Sequence, residues 1–144
     1  MMYIVPYEPC HWDNFQPQAA QASMFTLVDQ PTKELLSRHE SYTGIIDGKV
    51  VGFCGVIEMW HGRAVAWAWL SELLEKKMIY AHRAVRKFLS LYDINRLEAI
   101  VDAKHEAGIR WIEMLGFKRE TVQPMEMCLP CGGSAYLYAR VRQK

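Results

Sequence analysis

The residues best placed to do chemistry fall into three groups. The first is Glu75-Lys76-Lys77-Met78-Ile79-Tyr80-Ala81-His82-Arg83, where four basic side chains crowd the expected start of a helix. Free amides at a helix N-terminus attract phosphate through unpaired donors and the macrodipole. Lys76, Lys77, His82 and Arg83 would add point charges, and lysines there oppose the dipole unless a ligand or partner neutralises them. The bland reading is a solvated basic first turn. No glycine occurs between Gly62 and Gly108, so the backbone lacks the residue that lets a phosphate approach most closely.

The second group is Cys128-Leu-Pro-Cys131, to which Cys10-His11 could add two more ligands. Structural zinc wants four tetrahedral ligands, and a lone Cys-x-x-Cys supplies two. Nothing in the element order brings Cys10-His11 to that turn, and the βαβ context of a redox motif is absent. The expectation is a turn with two free thiols and no metal. The third group is aromatic: Trp67 and Trp69 share one face of a strand, with Trp60 nearby. They pack under a helix or, if exposed, form a partner surface. His39 and His61 read as isolated surface histidines.

These groups must be positioned by regular elements. MMYIVPY alternates and reads as a short strand ending near Pro6. Between Cys10 and Arg38, Asp13 is a plausible N-cap, Ala19 to Met24 favour helix, and Pro31-Thr32 before KELLSR opens a second short helix. Ser41 to Ile46 and Lys49 to Trp60 flank Asp47-Gly48, a tight-turn pair that marks a hairpin because both positions need positive φ. Ala64 to Leu70 adds a third strand. Lys77 to Tyr92 carries Met78, Ala81, Val85, Phe88, Leu89 and Tyr92 at helical spacings. Leu97 to Val101 is a buried strand and 105–115 an amphipathic helix stopped by Gly116, with Ala107, Trp111, Met114 and Leu115 as its core stripe. Lys118 to Met127 and Ser134 to Arg142 are expected as the last two strands.

Composition limits the class. The 144 residues, 51% hydrophobic, suit one compact domain over 1–144. A net charge of +1 with both signs mixed marks no global nucleic-acid or membrane field. Basic residues at 76–87 neighbour Tyr80 and Tyr92 without a recurring aromatic-basic pattern, so nucleic acid is not the expected partner. No apolar run approaches the roughly 20 residues of a membrane span. Met1 to Pro9 lacks a basic segment followed by an apolar one, so four free cysteines in a reducing cytoplasm are expected.

The stretch His105-Glu-Ala-Gly-Ile-Arg-Trp-Ile-Glu-Met-Leu-Gly-Phe117 resembles the Asn-x-x-Ala-x-x-x-Tyr-x-x-x-Gly-Phe helix of the GNAT superfamily of N-acetyltransferases. His105 stands at the Asn, Gly108 at the Ala and Ile112 at the Tyr. The order of elements is also the GNAT order along essentially the whole chain. The resemblance implies an α/β fold with a mixed, mostly antiparallel central sheet of about six to seven strands flanked by helices. It implies acetyl-CoA as cofactor, held by Leu70, Lys76, Lys77, Tyr80, Ala81, His82 and His105. The pantetheine arm would lie like an extra strand where the strand at 64–70 diverges from that at 97–101.

Transfer to an amine then needs a base, because only the neutral amine is nucleophilic. The resemblance offers Glu72, with Glu58 second, and Tyr136 or Tyr138 on the last strand; each is otherwise a surface carboxylate or a half-buried aromatic. The family's tyrosine protonates the departing thiolate, and Ile112 cannot. Two functions stand open. One is an acetyl-CoA-dependent N-acetyltransferase of a small-molecule or protein amine. The other is a non-catalytic protein that keeps the fold. The chain is also similar to small GNAT-like proteins encoded among the virion-assembly genes of short-tailed phages, which would imply phage structural partners and a place in the host cytoplasm or the virion.

Overall fold

In the computed structural model, residues 1–143 are described. The strands are β1 (Met2–Pro6), β2 (Ser41–Ile46), β3 (Lys49–Trp60), β4 (Arg63–Leu70), β5 (Arg96–Asp102), β6 (Lys118–Arg119) and β7 (Ala135–Val141). The helices are α1 (Ala22–Phe25), α2 (Gln30–Leu36), α3 (Glu72–Glu75), α4 (Met78–Leu91) and α5 (Glu106–Met114). The strands form a seven-stranded sheet in the order β1-β2-β3-β4-β5-β7-β6. The β4–β5 pair is parallel, while β1–β2, β2–β3, β5–β7 and β6–β7 are antiparallel. This is the mixed, mostly antiparallel architecture expected from the sequence. The chain divides into two compact units, Met1–Ile57 with Trp67–Tyr92 and Glu58–Ala66 with Asp93–Lys144.

In the first unit, Asp47 and Gly48 take φ of 50° and 76°, the positive values a tight β2–β3 turn demands. The segment after β1 departs from expectation. A 3-10 turn covers Pro9–Asn14, so Asp13 lies inside it and Glu8 caps it instead. Downstream, Asp29 caps α2, accepting from the Thr32 N–H at 2.9 Å, with Pro31 in the first turn. The core of this unit is aromatic. Trp12 stacks on Phe53 with centroids 4.5 Å apart, and Tyr7, Phe15 and Leu36 complete the buried cluster. Trp67 and Trp69 pack edge-on against Tyr7 and Trp12, so they belong to the core and not to an exposed face. Trp60 does not join them; it is 57% exposed, under the Arg63 guanidinium.

In the second unit, β5 is laddered to β7 from Arg96↔Val141 to Asp102↔Ala135. Helix α5 ends as its Leu-Gly-Phe tail predicts. Phe117 N–H bonds the Ile112 carbonyl, Gly116 N–H bonds the Glu113 carbonyl, and Gly116 takes φ 91°. That is the paired-bond stop in which a left-handed residue satisfies orphan carbonyls. Its inward stripe differs from expectation: Leu115 is buried and Gly108, Ile109, Trp111 and Ile112 half-buried, while Ala107 and Met114 face out.

The expected strand 118–127 shrinks to Lys118–Arg119. Thr121 accepts the Leu137 N–H through its side-chain oxygen, and Pro124 has no N–H to give. The pairing resumes only at the Met125–Ala135 bridge. The Cys128–Cys131 segment is a tight turn closed by Cys128 and Leu129 N–H bonds to the Gly133 carbonyl. Among the described residues, no helix is long and apolar enough to cross a membrane.

Candidate functional site

Seven of the sequence-predicted site residues follow one another along β4, α3 and α4 in the first unit. Leu70 ends β4 and is buried. Ser71 then caps α3, accepting from the Leu74 N–H at 3.1 Å. Glu72 opens α3 at the surface and meets Lys76 at 3.7 Å, both side chains about three-quarters exposed. An exposed pair of this kind contributes little. Lys77 is the N-cap of α4, in a conformation that is neither helical nor extended, and makes no side-chain cap bond. Its carbonyl takes the Tyr80 N–H at 3.1 Å. Ala81 is buried against the core, and Tyr80 and His82 are half-buried. The first turn of a fourteen-residue helix thus sits uncapped beside two lysines, which is what a phosphate group would meet.

The edge of β4 is decisive for the rest of a cofactor. Ser71 N–H bonds the Val51 carbonyl of β3 at 2.8 Å. By strand alternation, Ala68 and Leu70 aim their backbone groups at the opposite edge. Three of those four groups are already taken. Gln21 donates its side-chain amide to the Ala68 carbonyl at 2.9 Å and accepts the Leu70 N–H at 3.0 Å. The Leu70 carbonyl accepts the Gln18 N–H at 2.8 Å, and Pro17 bridges Ser71. Gln18 is itself buried and donates to the Gln21 side-chain oxygen at 3.0 Å. The chain's own 17–21 segment therefore occupies the edge where the resemblance puts the pantetheine arm. Gln18 and Gln21 carried no signal in the sequence, because two polar residues in a helix-prone stretch are unremarkable.

Two predicted site residues lie in the second unit. His105 is the N-cap of α5, its N–H on the Asp102 carbonyl at 3.0 Å. Its ring lies over the first turn, 2.6 Å from where a Cβ on Gly108 would stand. The family's alanine at 108 would collide with it, so Gly108 and His105 depart from the pattern together. Tyr136 is half-buried with the Arg119 guanidinium 3.8 Å above its ring, which gives it a cation–π partner. Tyr138, the other tyrosine considered, is fully buried; its hydroxyl donates to Glu113 at 2.7 Å and accepts from Arg119 at 3.1 Å. Burial, then the Glu113 carboxylate, push its pKa up.

One further charged group was legible but overlooked. Glu98 stands between Leu97 and Ala99 in β5, buried, and receives Arg63 and Arg96. Arg63 first, then Arg96, hold its carboxyl below the usual carboxylate range. Arg96 also reaches Glu120 through two guanidinium bonds. This network ties β4, β5 and the β6 end of the second unit together rather than exposing a base.

The chain matches no family model and no curated protein. Its likeness is to solved structures. Ard1 from Thermoplasma volcanium is 17% identical, with 99% of each chain covered and a TM-score of 0.79. A GNAT-family acetyltransferase from Bacillus anthracis is 16% identical over 97% of this chain and 94% of that one, at 0.71. RimL, a ribosomal L7/L12 alpha-N-protein acetyltransferase in complex with coenzyme A, is 14% identical over 97% and 93%, at 0.69. Identities this low speak to the fold alone. With the strand order and the helix stop at Gly116, they establish that this chain has the GNAT fold.

Proposed function

We propose that this chain is an acyltransferase-fold protein that works without acyl transfer, as an interaction or structural protein. The observation that carries the reading is the edge of β4, where Gln18 and Gln21 satisfy the Ala68 carbonyl and both backbone groups of Leu70. A pantetheine arm binds this fold as an added strand, so it needs those donors and acceptors free. Two sequence features support the same reading: the glycine-free segment 70–82, and Ile112 where the family keeps its proton donor. The similarity to GNAT-like proteins of phage virion-assembly regions fits it, and makes phage structural proteins the expected partners. Mass spectrometry of purified particles tests that placement.

A second reading has one observation in its favour. The uncapped start of α4 beside Lys76 and Lys77 is suited to a pyrophosphate, and with Glu72 as base and Tyr136 as acid it would serve transfer from acetyl-CoA to an amine. Calorimetry with acetyl-CoA separates the two. The expected result is no heat with millimolar acetyl-CoA on a folded protein. Tight acetyl-CoA binding that survives, and rates that fall in Glu72→Gln and Tyr136→Phe, would overturn the non-catalytic reading.

A further inference from the structure

Outside the acyltransferase site, one side-chain cluster has the chemistry of a ligand set. Among the described residues, Glu8, Cys10 and His11 form a group whose ligand atoms all lie within 4.8 Å of one another. They offer a carboxylate, a thiolate and an imidazole from four consecutive positions at the junction of β1 and the 3-10 turn Pro9–Asn14.

The ring of His11 is held by its inner nitrogen. Nδ1 lies 2.8 Å from the Thr43 hydroxyl and 3.2 Å from the Glu8 N–H. Thr43 is fully buried on β2, so it fixes the ring plane from the core side and leaves Nε2 facing outward. There Nε2 stands 3.5 Å from the Glu8 carboxylate. Two ligands bonded at about 2.0 Å to one tetrahedral ion are about 3.3 Å apart, so this pair needs almost no closing. Cys10 is an exposed free thiol and can rotate to complete the set.

We infer that Glu8, Cys10 and His11 bind a zinc-class divalent cation through one oxygen, one sulfur and one nitrogen, with water in the fourth position. The ligand set selects the metal: thiolate with imidazole favours zinc over magnesium or calcium, which take oxygen. Three protein ligands and one open position is an established zinc arrangement. The proton balance is simple. On binding, the His11 proton moves from Nε2 to Nδ1, which donates to Thr43 in the manner of an outer-shell partner and gives up the bond it accepted from the exposed Glu8 N–H, which turns to water. The Cys10 thiol loses its proton to solvent as the sulfur–metal bond forms, so one proton is released per ion bound.

The capping arrangement between Glu8 and His11 accounts for their closeness as a structural device. It gives no reason for the thiol between them. This site takes no ligand from Cys128 or Cys131, and it departs from the sequence expectation of no metal.

The test is a titration of the full chain with Co²⁺, followed by absorption, and with Zn²⁺ by calorimetry in buffers of different ionisation heat. The expected result is one ion per chain, a thiolate-to-cobalt charge-transfer band in the near ultraviolet, and close to one proton released. Cys10→Ser should abolish the band. Thr43→Val should keep the band and weaken binding about 10- to 100-fold. If Thr43→Val unfolds, Cys10→Ser decides alone, because Cys10 is exposed and its replacement leaves the core untouched. Folded protein that binds neither ion overturns the inference. So does a band that survives in Cys10→Ser, or one that disappears instead in Cys128→Ser or Cys131→Ser.

Discussion

Replacing Tyr7 by Phe removes one oxygen and leaves the ring, which isolates a single physical effect. The Tyr7 hydroxyl accepts from Trp12 Nε1 at 2.6 Å and donates to the Lys33 carbonyl at 2.8 Å. Trp12 is 2% exposed, so its N–H loses its acceptor without gaining water. A lost hydrogen bond costs roughly 1 kcal/mol and a stranded buried donor roughly 1–3 more. The Lys33 carbonyl belongs to a half-buried residue near the surface and can rehydrate. The sum is about 2–4 kcal/mol, with packing unchanged because the volume is nearly conserved. Tyr138→Phe is the matched control: the same deletion at a residue with no exposure, but beside Glu113 and Arg119, which are both exposed. Water can replace the hydroxyl for both partners, so the cost should stay near or below about 1 kcal/mol.

The assay is equilibrium urea unfolding, read by far-ultraviolet dichroism and tryptophan emission to check that the transitions coincide. The midpoint should fall clearly for Tyr7→Phe and little for Tyr138→Phe, at equal slopes. Burial also raises the Tyr7 pKa. Its folded value therefore exceeds the unfolded one near 10, and the wild type should lose stability as pH rises past about 10, less steeply in Tyr7→Phe. A Tyr7→Phe cost no larger than that of Tyr138→Phe would refute the claim that the stranded Trp12 donor sets the penalty.

Arg63 and Arg96 depress the Glu98 pKa, so its contribution is complete above about pH 4.5 and is lost as pH falls through the lower folded value. Glu98→Gln should cost about 2–4 kcal/mol at neutral pH, towards the lower end of a broken buried pair because both arginines can reach water. It should also flatten the acid limb of a pH-dependent unfolding series; an unchanged acid limb would remove Glu98 as its source. Desolvation pushes the Cys54 thiol up to about 11, whereas Cys10 and Cys131 are exposed. Iodoacetamide on the native protein should label Cys10 and Cys131 well before Cys54, and equal labelling times by mass spectrometry would contradict that burial.

How much of this was legible depends on how local each cause is. The Asp47-Gly48 turn and the Gly116 stop were readable because each is fixed by one residue's access to positive φ. The strand expected over 118–127 is cut short because Thr121 and Pro124 act through a side-chain oxygen and a missing donor, which hydrophobic alternation does not register, whereas the strand after it stands where alternation puts it. Glu98 was readable in principle, since a carboxylate in the middle of a buried apolar strand must have found cations.

The β4 edge was not readable. Its partners, Gln18 and Gln21, come from about fifty positions earlier in the chain, and glutamine gives no hint of a target. A glutamine side chain carries the same amide donor and carbonyl acceptor as the peptide bond, and so does the pantetheine arm expected in this fold. The strand edge is satisfied equally well by any of the three. Motif matching counts the residues that hold a cofactor, whereas occupancy of this edge depends on what competes for the same hydrogen bonds. Freeing it with Gln21→Ala would strand the Leu70 N–H and the Ala68 carbonyl unless an added strand or water takes them.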